Sequence, residues 1–147
     1  MLKDVTQIRL PSFGPQLETG EGLSTASPSP WAQHILALSR CLSGMQATIN
    51  GDMPVNCDQA FDLWCDSTED VRQAERVIYL MGNGASASMA SHFAADLAKN
   101  ADLHTQVFTD TSLITAVAND ISYDMVFLVP LPRRLKAGDM VVAISSS

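Results

Sequence analysis

The chain has 147 residues, of which 46% are hydrophobic and 17% are charged. This is the size of one ordinary domain, with enough apolar material for a packed core. The formal net charge of −7 at pH 7 argues against nucleic acid and anionic membrane as partners, because both are polyanions. A small anionic ligand is still compatible with this charge, since the backbone N–H groups of one loop can bind it locally.

Neither a membrane span nor a secretory signal is predicted. No run approaches the roughly 20 apolar residues of a span, and the first fourteen residues lack a long apolar core and carry Asp4. We therefore expect a cytoplasmic protein. The three cysteines, Cys41, Cys57 and Cys65, are odd in number and have no C-x-x-C spacing. This predicts reduced structural thiols rather than a disulfide framework.

The N-terminal part of the chain divides at about residue 30. Residues 1–30 are rich in Pro, Ser, Gly and Thr, which predicts a flexible leader or linker before a domain over 31–147. Apolar residues then recur at helical spacing and predict a helix over 31–49 that ends at an Asn-Gly-Asp turn. A second helix is predicted over 57–75.

Strands and helices alternate in the rest of the chain. Short apolar runs predict strands over 77–81, 103–108 and 140–144, and helices are predicted over 86–99 and 112–118. This alternation predicts a parallel sheet with helices on both faces, an α/β/α sandwich of three layers. The segment 125–135 could be helix or strand, although Pro130 and Pro132 argue against a regular helix.

The first of these strands ends in the loop Gly82-Asn83-Gly84-Ala85-Ser86. Ligands of open α/β sheets bind at such carboxyl ends of strands, and the following helix adds free N–H groups and a partial positive charge. Three interpretations are open for the loop alone. It fits a phosphorylated small molecule, a dinucleotide (G-x-G-x-x-A, with Asp110 as a ribose-binding acid), or a plain turn in which Ser86 caps the helix.

The last predicted strand also ends in hydroxyl groups, those of Ser145, Ser146 and Ser147. Serine hydroxyls at a second strand end could form the other wall of a phosphate site, or they could be a polar tail. On the intervening helix, Ser88, His92 and Asp96 share one face. A histidine and a carboxylate one turn apart can hold a metal or share a proton, or form an ordinary exposed pair.

Several separated motifs together resemble the sugar isomerase (SIS) domain, and in particular its sedoheptulose-7-phosphate isomerase (phosphoheptose isomerase) branch. The family's G-N-G-G-S appears as residues 82–86, and its H-F-A-x-E/D-L as residues 92–97. Its D-x-S-x-[IL]-[ST]-A-x-x-N-D-x-x-[YF] block matches residues 110–123, and its G-D-[VL]-[LV]-[LV]-x-I-S-T-S block matches 138–147. The resemblance implies a parallel flavodoxin-like or Rossmann-like sheet preceded by N-terminal helices.

The resemblance also implies roles for residues. Asp96 stands where the family has a catalytic glutamate, which is also a zinc ligand, and His92 is a zinc ligand in members that bind zinc. Other positions would bind the sugar phosphate: Asn83, Gly84, Ala85, Ser86, Asn119, Asp120, Ser145, Ser146 and Ser147. A possible zinc ion and no nucleotide cofactor are therefore expected, with a sugar phosphate as the ligand.

The sequence departs from the family pattern at four places. Asp96 is one methylene shorter than glutamate, and Ala85 replaces a loop glycine, so its backbone must avoid positive φ. Pro130 and Pro132 fall in a segment that is helical in the family. The chain also ends inside the second phosphate loop, so that the family's later glutamine and general-acid histidine have no counterpart, and we expect a C-terminally truncated SIS domain.

The resemblance implies an aldose–ketose isomerisation of sedoheptulose 7-phosphate or a related sugar phosphate, with Asp96 as the base. An alternative is a non-catalytic SIS module that senses a sugar phosphate or docks a protein partner, as a DnaA-associating member of the family does. Family members assemble through the helices before the first strand. A homo-oligomer, dimer or tetramer, is therefore expected, with Trp31, Ile35, Leu38, Phe61 and Trp64 at its interface or inside the monomer.

Overall fold

The structure is a computed structural model and describes residues 6–9 and 29–145. Its elements, in chain order, are β1 (Thr6–Arg9), α1 (Pro30–Ser43), β2 (Gln46–Ile49), β3 (Met53–Val55), α2 (Cys57–Gln73), β4 (Val77–Gly82), α3 (Ala85–Asn100), β5 (His104–Val107), α4 (Thr111–Asp120), a 3₁₀ turn (Tyr123–Met125), α5 (Leu131–Arg134) and β6 (Met140–Ile144). In this part of the chain no helix has the length and apolarity to cross a membrane. The chain forms two compact units that divide between Trp64 and Cys65, within α2.

The first unit contains a small antiparallel sheet in the order β1-β2-β3. Its β2–β3 reversal uses Asn50 and Gly51, both at positive φ, a region that asparagine and glycine tolerate. The predicted helix over 31–49 is therefore wrong beyond Ser43, because residues 46–49 pair on both sides as a central strand. Strand β1 lies within the predicted leader. Of the other leader residues, 1–5 and 10–28 are outside the described residues, and the domain boundary at residue 30 stays a prediction.

Helix α1 has well-formed ends but no buried residue. The Ser29 side chain accepts a hydrogen bond from the Ala32 N–H, and Pro30 occupies the first turn, where its missing N–H leaves no bond unmade. Gly44 ends the helix, its N–H donating to the Arg40 carbonyl at 2.9 Å. The large apolar residues of α1 are exposed: Trp31, Ile35, Leu36, Leu38 and Leu42.

The second unit is built on a parallel sheet in the order β5-β4-β6. Successive side chains of the central strand β4 point to opposite faces of the sheet, as in any pleated strand. Ile78 and Leu80 pack with Ala90 and Ala94 of α3. On the opposite face Tyr79 and Met81 pack with Phe108 and with partly buried residues between Phe127 and Leu135. Helical segments on both faces confirm the predicted parallel, three-layer α/β arrangement.

The segment left open in the sequence, 125–135, is neither a strand nor one long helix. It begins within the 3₁₀ turn and ends just after the short helix α5. Pro130 directly precedes α5 and Pro132 lies in its first turn, where no intrahelical N–H bond is lost. The two prolines therefore shorten the helical structure here without removing it.

Candidate functional site

The carboxyl ends of β4 and β6 bring two predicted site segments to one edge of the sheet. These strands pair in parallel register, with Gly82 opposite Ile144. The loop that begins at Asn83 and the residue Ser145 therefore leave the sheet from adjacent strands at the same level. Ser146 and Ser147 lie outside the described residues. Of the three serines, the structure thus brings Ser145 next to the Gly82 loop.

Two glycines shape this loop for different reasons. A Cβ on Gly82 would lie 2.7 Å from the carbonyl carbon and oxygen of Ser86, closer than real contacts allow. Gly84 precedes α3 at φ 55° and ψ −124°, a conformation that L-residues rarely adopt. Ala85 is the first helical residue and is not at positive φ, as expected for a residue with a Cβ.

Ser86 is not the N-cap of α3, so the alternative of a plain turn capped by Ser86 is wrong. Gly84 holds the cap position without a side-chain hydrogen bond, and Ser86 is already inside α3 and 7% exposed. The Ser86 N–H donates to the Asn83 carbonyl at 3.0 Å, and the Ala87 N–H donates to the Gly84 carbonyl at 3.1 Å. Within the described residues, no hydrogen-bond acceptor is recorded for the N–H groups of Gly84 and Ala85. These two donors, at the positive end of the helix dipole, suit an anion.

A tyrosine that was not predicted as a site residue contacts the loop. The Tyr123 hydroxyl donates a hydrogen bond to Oδ1 of Asn83 at 3.0 Å. Tyr123 appeared in the sequence as the last position of the block over residues 110–123, three residues after Asp120. Its place in this block was the sequence signal that could have identified Tyr123 as a site residue. The block does not indicate that its hydroxyl bonds to Asn83.

The two polar residues that end α4 lie together on the surface. Asn119 Nδ2 donates to Asp120 Oδ1 at 3.0 Å, and both side chains are exposed. At the other end of the helix, Asp110 accepts a hydrogen bond from the Leu113 N–H at 2.7 Å. The carboxylate that a dinucleotide would need for its ribose is therefore the N-cap of α4, which weakens the dinucleotide interpretation.

His92 and Asp96 form a second polar cluster, on α3. Nε2 of His92 lies 3.4 Å from Oδ2 of Asp96, and the side chains are 83% and 51% exposed. At 1.5 Å per residue, they stand roughly 10 and 16 Å along the axis from the start of the helix. In a single chain the pair is thus separated from the Gly82 loop by two to three helical turns.

The pair is also incomplete as a metal centre. Among residues 6–9 and 29–145 no group of three His, Cys, Asp or Glu side chains could hold a metal ion. Catalytic zinc sites use three protein ligands and leave one position open. His92 and Asp96 alone therefore provide too few ligands for a zinc ion.

Similar proteins were found among curated sequences, whereas no family model matches the chain. The phosphoheptose isomerase of Campylobacter concisus is 35% identical over 99 residues, which cover 63% of this chain and 52% of that protein. The phosphoheptose isomerase of Geobacter sp. strain M21 is 31% identical over 121 residues, 78% of this chain and 61% of that protein. The probable phosphoheptose isomerase of Thermoplasma acidophilum is 42% identical over 76 residues, 48% of this chain and 42% of that protein.

A solved structure is also similar: phosphoheptose isomerase GmhA from Neisseria gonorrhoeae, at 33% identity and a TM-score of 0.48, covering 61% of this chain and 53% of that chain. The parallel sheet that the described residues form is of the α/β class. The curated relatives named phosphoheptose isomerase support placing the chain in the phosphoheptose isomerase branch of the SIS family. The chain spans 52% and 61% of the length of the first two curated relatives.

Proposed function

We propose that the chain is part of a phosphosugar isomerase that binds sedoheptulose 7-phosphate or a related sugar phosphate and interconverts its ketose and aldose forms. The observation that carries this proposal is the register of β4 and β6, with Gly82 opposite Ile144. The Gly82 loop and Ser145 follow the ends of these adjacent strands, and among the described residues no acceptor is recorded for the Gly84 and Ala85 amides. The names of the curated relatives support the isomerase over the alternative of a non-catalytic module.

The phosphate would bind where backbone amides and hydroxyl groups converge. The N–H groups of Gly84 and Ala85 supply donors at the positive end of α3, and serine hydroxyls supply further donors from β6. Asn119 and Asp120 would contact the sugar hydroxyls with an amide and a carboxylate. The full proposed binding set is Asn83, Gly84, Ala85, Ser86, Asn119, Asp120, Ser145, Ser146 and Ser147.

In the proposed reaction, Asp96 is the general base. Starting from the ketose, its carboxylate removes a proton from C1, next to the C2 carbonyl, and an enediol forms as the carbonyl oxygen gains a proton. Return of a proton to C2, with loss of the proton from the C1 hydroxyl, gives the aldose. The acid that reprotonates C2 is not assigned to any described residue.

The separation along α3 suggests that one chain does not complete the active site. Asp96 lies roughly 16 Å along the helix axis from the phosphate-binding amides, by helix geometry. We propose that the Asp96 acting on a given sugar comes from a second copy of the chain, so that the isomerase is a homo-oligomer. Mixing Asp96→Ala chains with Gly84→Ala chains would then restore activity that neither variant has alone.

Zinc is proposed only as an addition to this arrangement. His92 and Asp96 would supply two ligands, and the ion, once bound, would polarise a substrate oxygen as a Lewis acid. Because the described residues do not supply a third ligand, the proton transfers above do not depend on the metal. The proposed setting of the enzyme is the cytoplasm.

A calorimetric titration with sedoheptulose 7-phosphate tests the proposal. We expect saturable binding that is lost with unphosphorylated sedoheptulose and weakened in Ser145→Ala. The matched control is Ser43→Ala, which removes an exposed hydroxyl from the last residue of α1. If the chain has no measurable affinity for any sugar phosphate, the proposed function is wrong.

A further inference from the structure

The hydrogen bond between Tyr123 and Asn83 joins two segments that are far apart in sequence, 40 residues from each other. Asn83 lies in the loop between the close-packed Gly82 and the left-handed Gly84. Gly82 packs against the Ser86 backbone and Gly84 has a positive φ, so the backbone on both sides of Asn83 has a defined conformation. Its exposed side chain, by contrast, has one recorded partner in the described part of the chain, the Tyr123 hydroxyl.

Tyr123 itself belongs to a well-anchored turn. The Ser122 N–H donates to the Val117 carbonyl at 3.2 Å, and the Val126 N–H donates to the Tyr123 carbonyl at 3.1 Å. Val126 is 3% exposed. The backbone that carries the tyrosine ring is therefore tied to α4 and anchored by a buried residue, while the Tyr123 side chain is 54% exposed and its hydroxyl donates to Asn83.

The direction of this bond determines what Asn83 offers to a ligand. An asparagine amide has one acceptor oxygen and two N–H donors. Because Oδ1 accepts from Tyr123, the orientation of the amide is set and Nδ2 keeps both of its hydrogens for other partners. Within the described residues no acceptor for Nδ2 is recorded. Asn83 is thus presented as a hydrogen-bond donor.

The position of that donor favours a sugar oxygen as its acceptor. The neighbouring amides of Gly84 and Ala85 already offer donors for a phosphate. Tyr123, on the other side, follows Asp120 by three residues, so their Cα atoms are within about 11 Å. The hydrogen bond from Tyr123 therefore links the Asn83 side chain to the turn that follows the Asn119–Asp120 pair.

We propose that Tyr123 is a positioning residue, whose hydroxyl holds the Asn83 amide so that Nδ2 donates to a hydroxyl or carbonyl oxygen of the bound sugar phosphate. This inference rests on the proposed sugar-phosphate site. It assigns to Tyr123 an effect on recognition of the sugar part, exerted through Asn83, with no contact between Tyr123 and the ligand.

A double-mutant cycle on the full 147-residue chain tests this assignment. Tyr123→Phe is expected to weaken binding of sedoheptulose 7-phosphate about five- to tenfold, the value of one neutral hydrogen bond, and to leave binding of inorganic phosphate unchanged. In an Asn83→Ala background the same substitution is expected to have no further effect. Tyr79→Phe, which removes the other tyrosine hydroxyl, donated to the Arg134 carbonyl, is the matched control and should bind as the unchanged chain does.

Three results would overturn the assignment. The first is an unchanged affinity of Tyr123→Phe for the sugar phosphate. The second is an equal loss for inorganic phosphate, which would place the Asn83 donor on the phosphate. The third is an undiminished loss in the Asn83→Ala background, which would mean that Tyr123 acts by another route.

A spectroscopic measurement keeps this inference separate from the proposed function. In ¹⁵N-labelled protein without ligand, Tyr123→Phe is expected to shift the Asn83 side-chain amide resonances, and Tyr79→Phe is not. If the unchanged chain binds no sugar phosphate, the proposed function fails, and a missing shift in Tyr123→Phe overturns the positioning role whether or not a sugar phosphate binds.

Discussion

Gly82 lies so close to Ser86 that a Cβ at position 82 would be 2.7 Å from the Ser86 carbonyl oxygen. The contact is with helix backbone, which cannot move aside as a flexible side chain would. The first turn of α3 therefore packs directly against the end of β4. This close approach requires a residue without a Cβ at position 82.

Gly82→Ala is accordingly expected to destabilise the protein by about 1–3 kcal/mol, the usual cost of overpacking. It should also displace the loop and weaken sugar-phosphate binding. Urea unfolding monitored by circular dichroism measures the first effect, and calorimetry measures the second. A fully stable Gly82→Ala variant would contradict the close packing seen here.

Gly84 provides the comparison, because a Cβ there would meet nothing within 4 Å. Gly84→Ala is still expected to cost about 1–3 kcal/mol, since its φ of 55° with ψ of −124° strains an L-residue. D-Alanine, introduced by peptide ligation, has the mirror-image preference and should restore the stability. If D- and L-alanine at position 84 give equal stabilities, backbone strain is not the cause.

Asp96 should matter for chemistry and little for stability. Its ion pair with His92 is exposed, and exposed pairs contribute at most about 1 kcal/mol. Asp96→Ala is therefore expected to leave the unfolding midpoint nearly unchanged and to abolish incorporation of deuterium from D₂O at C1 of sedoheptulose 7-phosphate. This exchange reports proton abstraction even when product does not accumulate.

Asp62→Ala, which removes an exposed carboxylate from α2, is the control and should retain the exchange. Asp96→Glu extends the carboxylate by one methylene and should retain or increase the rate. Undiminished exchange in Asp96→Ala would exclude Asp96 as the base.

The elements next to the site were well predicted from the sequence, because their signals are local. The apolar run Val77–Met81 followed by glycine predicted β4 within one residue, and the alanine-rich stretch after it predicted α3 within one residue at each end. Strand β6 was predicted over its observed bounds. Each of these elements is specified by its own composition and periodicity.

The errors occurred where distant residues decide the structure. Residues 46–49 become a strand because β1 and β3 pair with them. Gly44, a helix stop signal, and the β-branched residues Thr48 and Ile49 were local signals that the helix prediction overlooked. Serine is a common N-cap residue. The close approach of the Ser86 backbone to Gly82 instead places Ser86 inside α3, where it is buried. The bond from Tyr123 to Asn83 depends on how the turn after α4 packs, which no sequence pattern expresses.

The exposed face of α1 yields a prediction about assembly. Four large apolar residues follow one another at spacings of four, three and four, typical of a helix–helix seam: Trp31, Ile35, Leu38 and Leu42. If this stripe joins two copies of the chain, as we propose, Leu38→Glu should weaken the oligomer at least tenfold, because burying a leucine is worth about 1.5–3 kcal/mol. Light scattering after size exclusion measures the mass.

Leu36 is the matched control, since it is 50% exposed against 52% for Leu38 but lies off the stripe. Leu36→Glu introduces the same charge into the same helix and should leave the mass unchanged. Equal effects of the two substitutions would show that α1 does not associate through this stripe.

Tyr79 should give the protein a characteristic loss of stability in alkaline solution. Its side chain lies in the core on the α5 side of the sheet, 4% exposed, and its hydroxyl donates to the Arg134 carbonyl at 3.2 Å. Burial, and then the nearby Asp139 carboxylate, raise the pKa of the Tyr79 phenol, partly opposed by the Arg134 cation. The fold therefore favours the neutral phenol.

The sign of the effect follows from proton linkage. Above pH of about 10, the ordinary value for tyrosine, the unfolded chain releases this proton while the folded chain keeps it. The stabilising contribution is present in full below that pH and is lost as the pH rises through the raised pKa of the folded state. The free energy of unfolding should therefore fall in alkaline solution by more than it would without Tyr79.

Tyr79→Phe removes this titration. At pH 7 the variant should be less stable by about 1 kcal/mol, because the hydrogen bond to Arg134 is lost. The ordinary pKa of tyrosine is about 10. As the pH rises from about 9 to about 11, the difference in unfolding free energy between the unchanged chain and Tyr79→Phe should therefore shrink. Urea unfolding at a series of pH values measures this difference, and parallel curves for the two proteins would mean that Tyr79 titrates alike in the folded and unfolded chains.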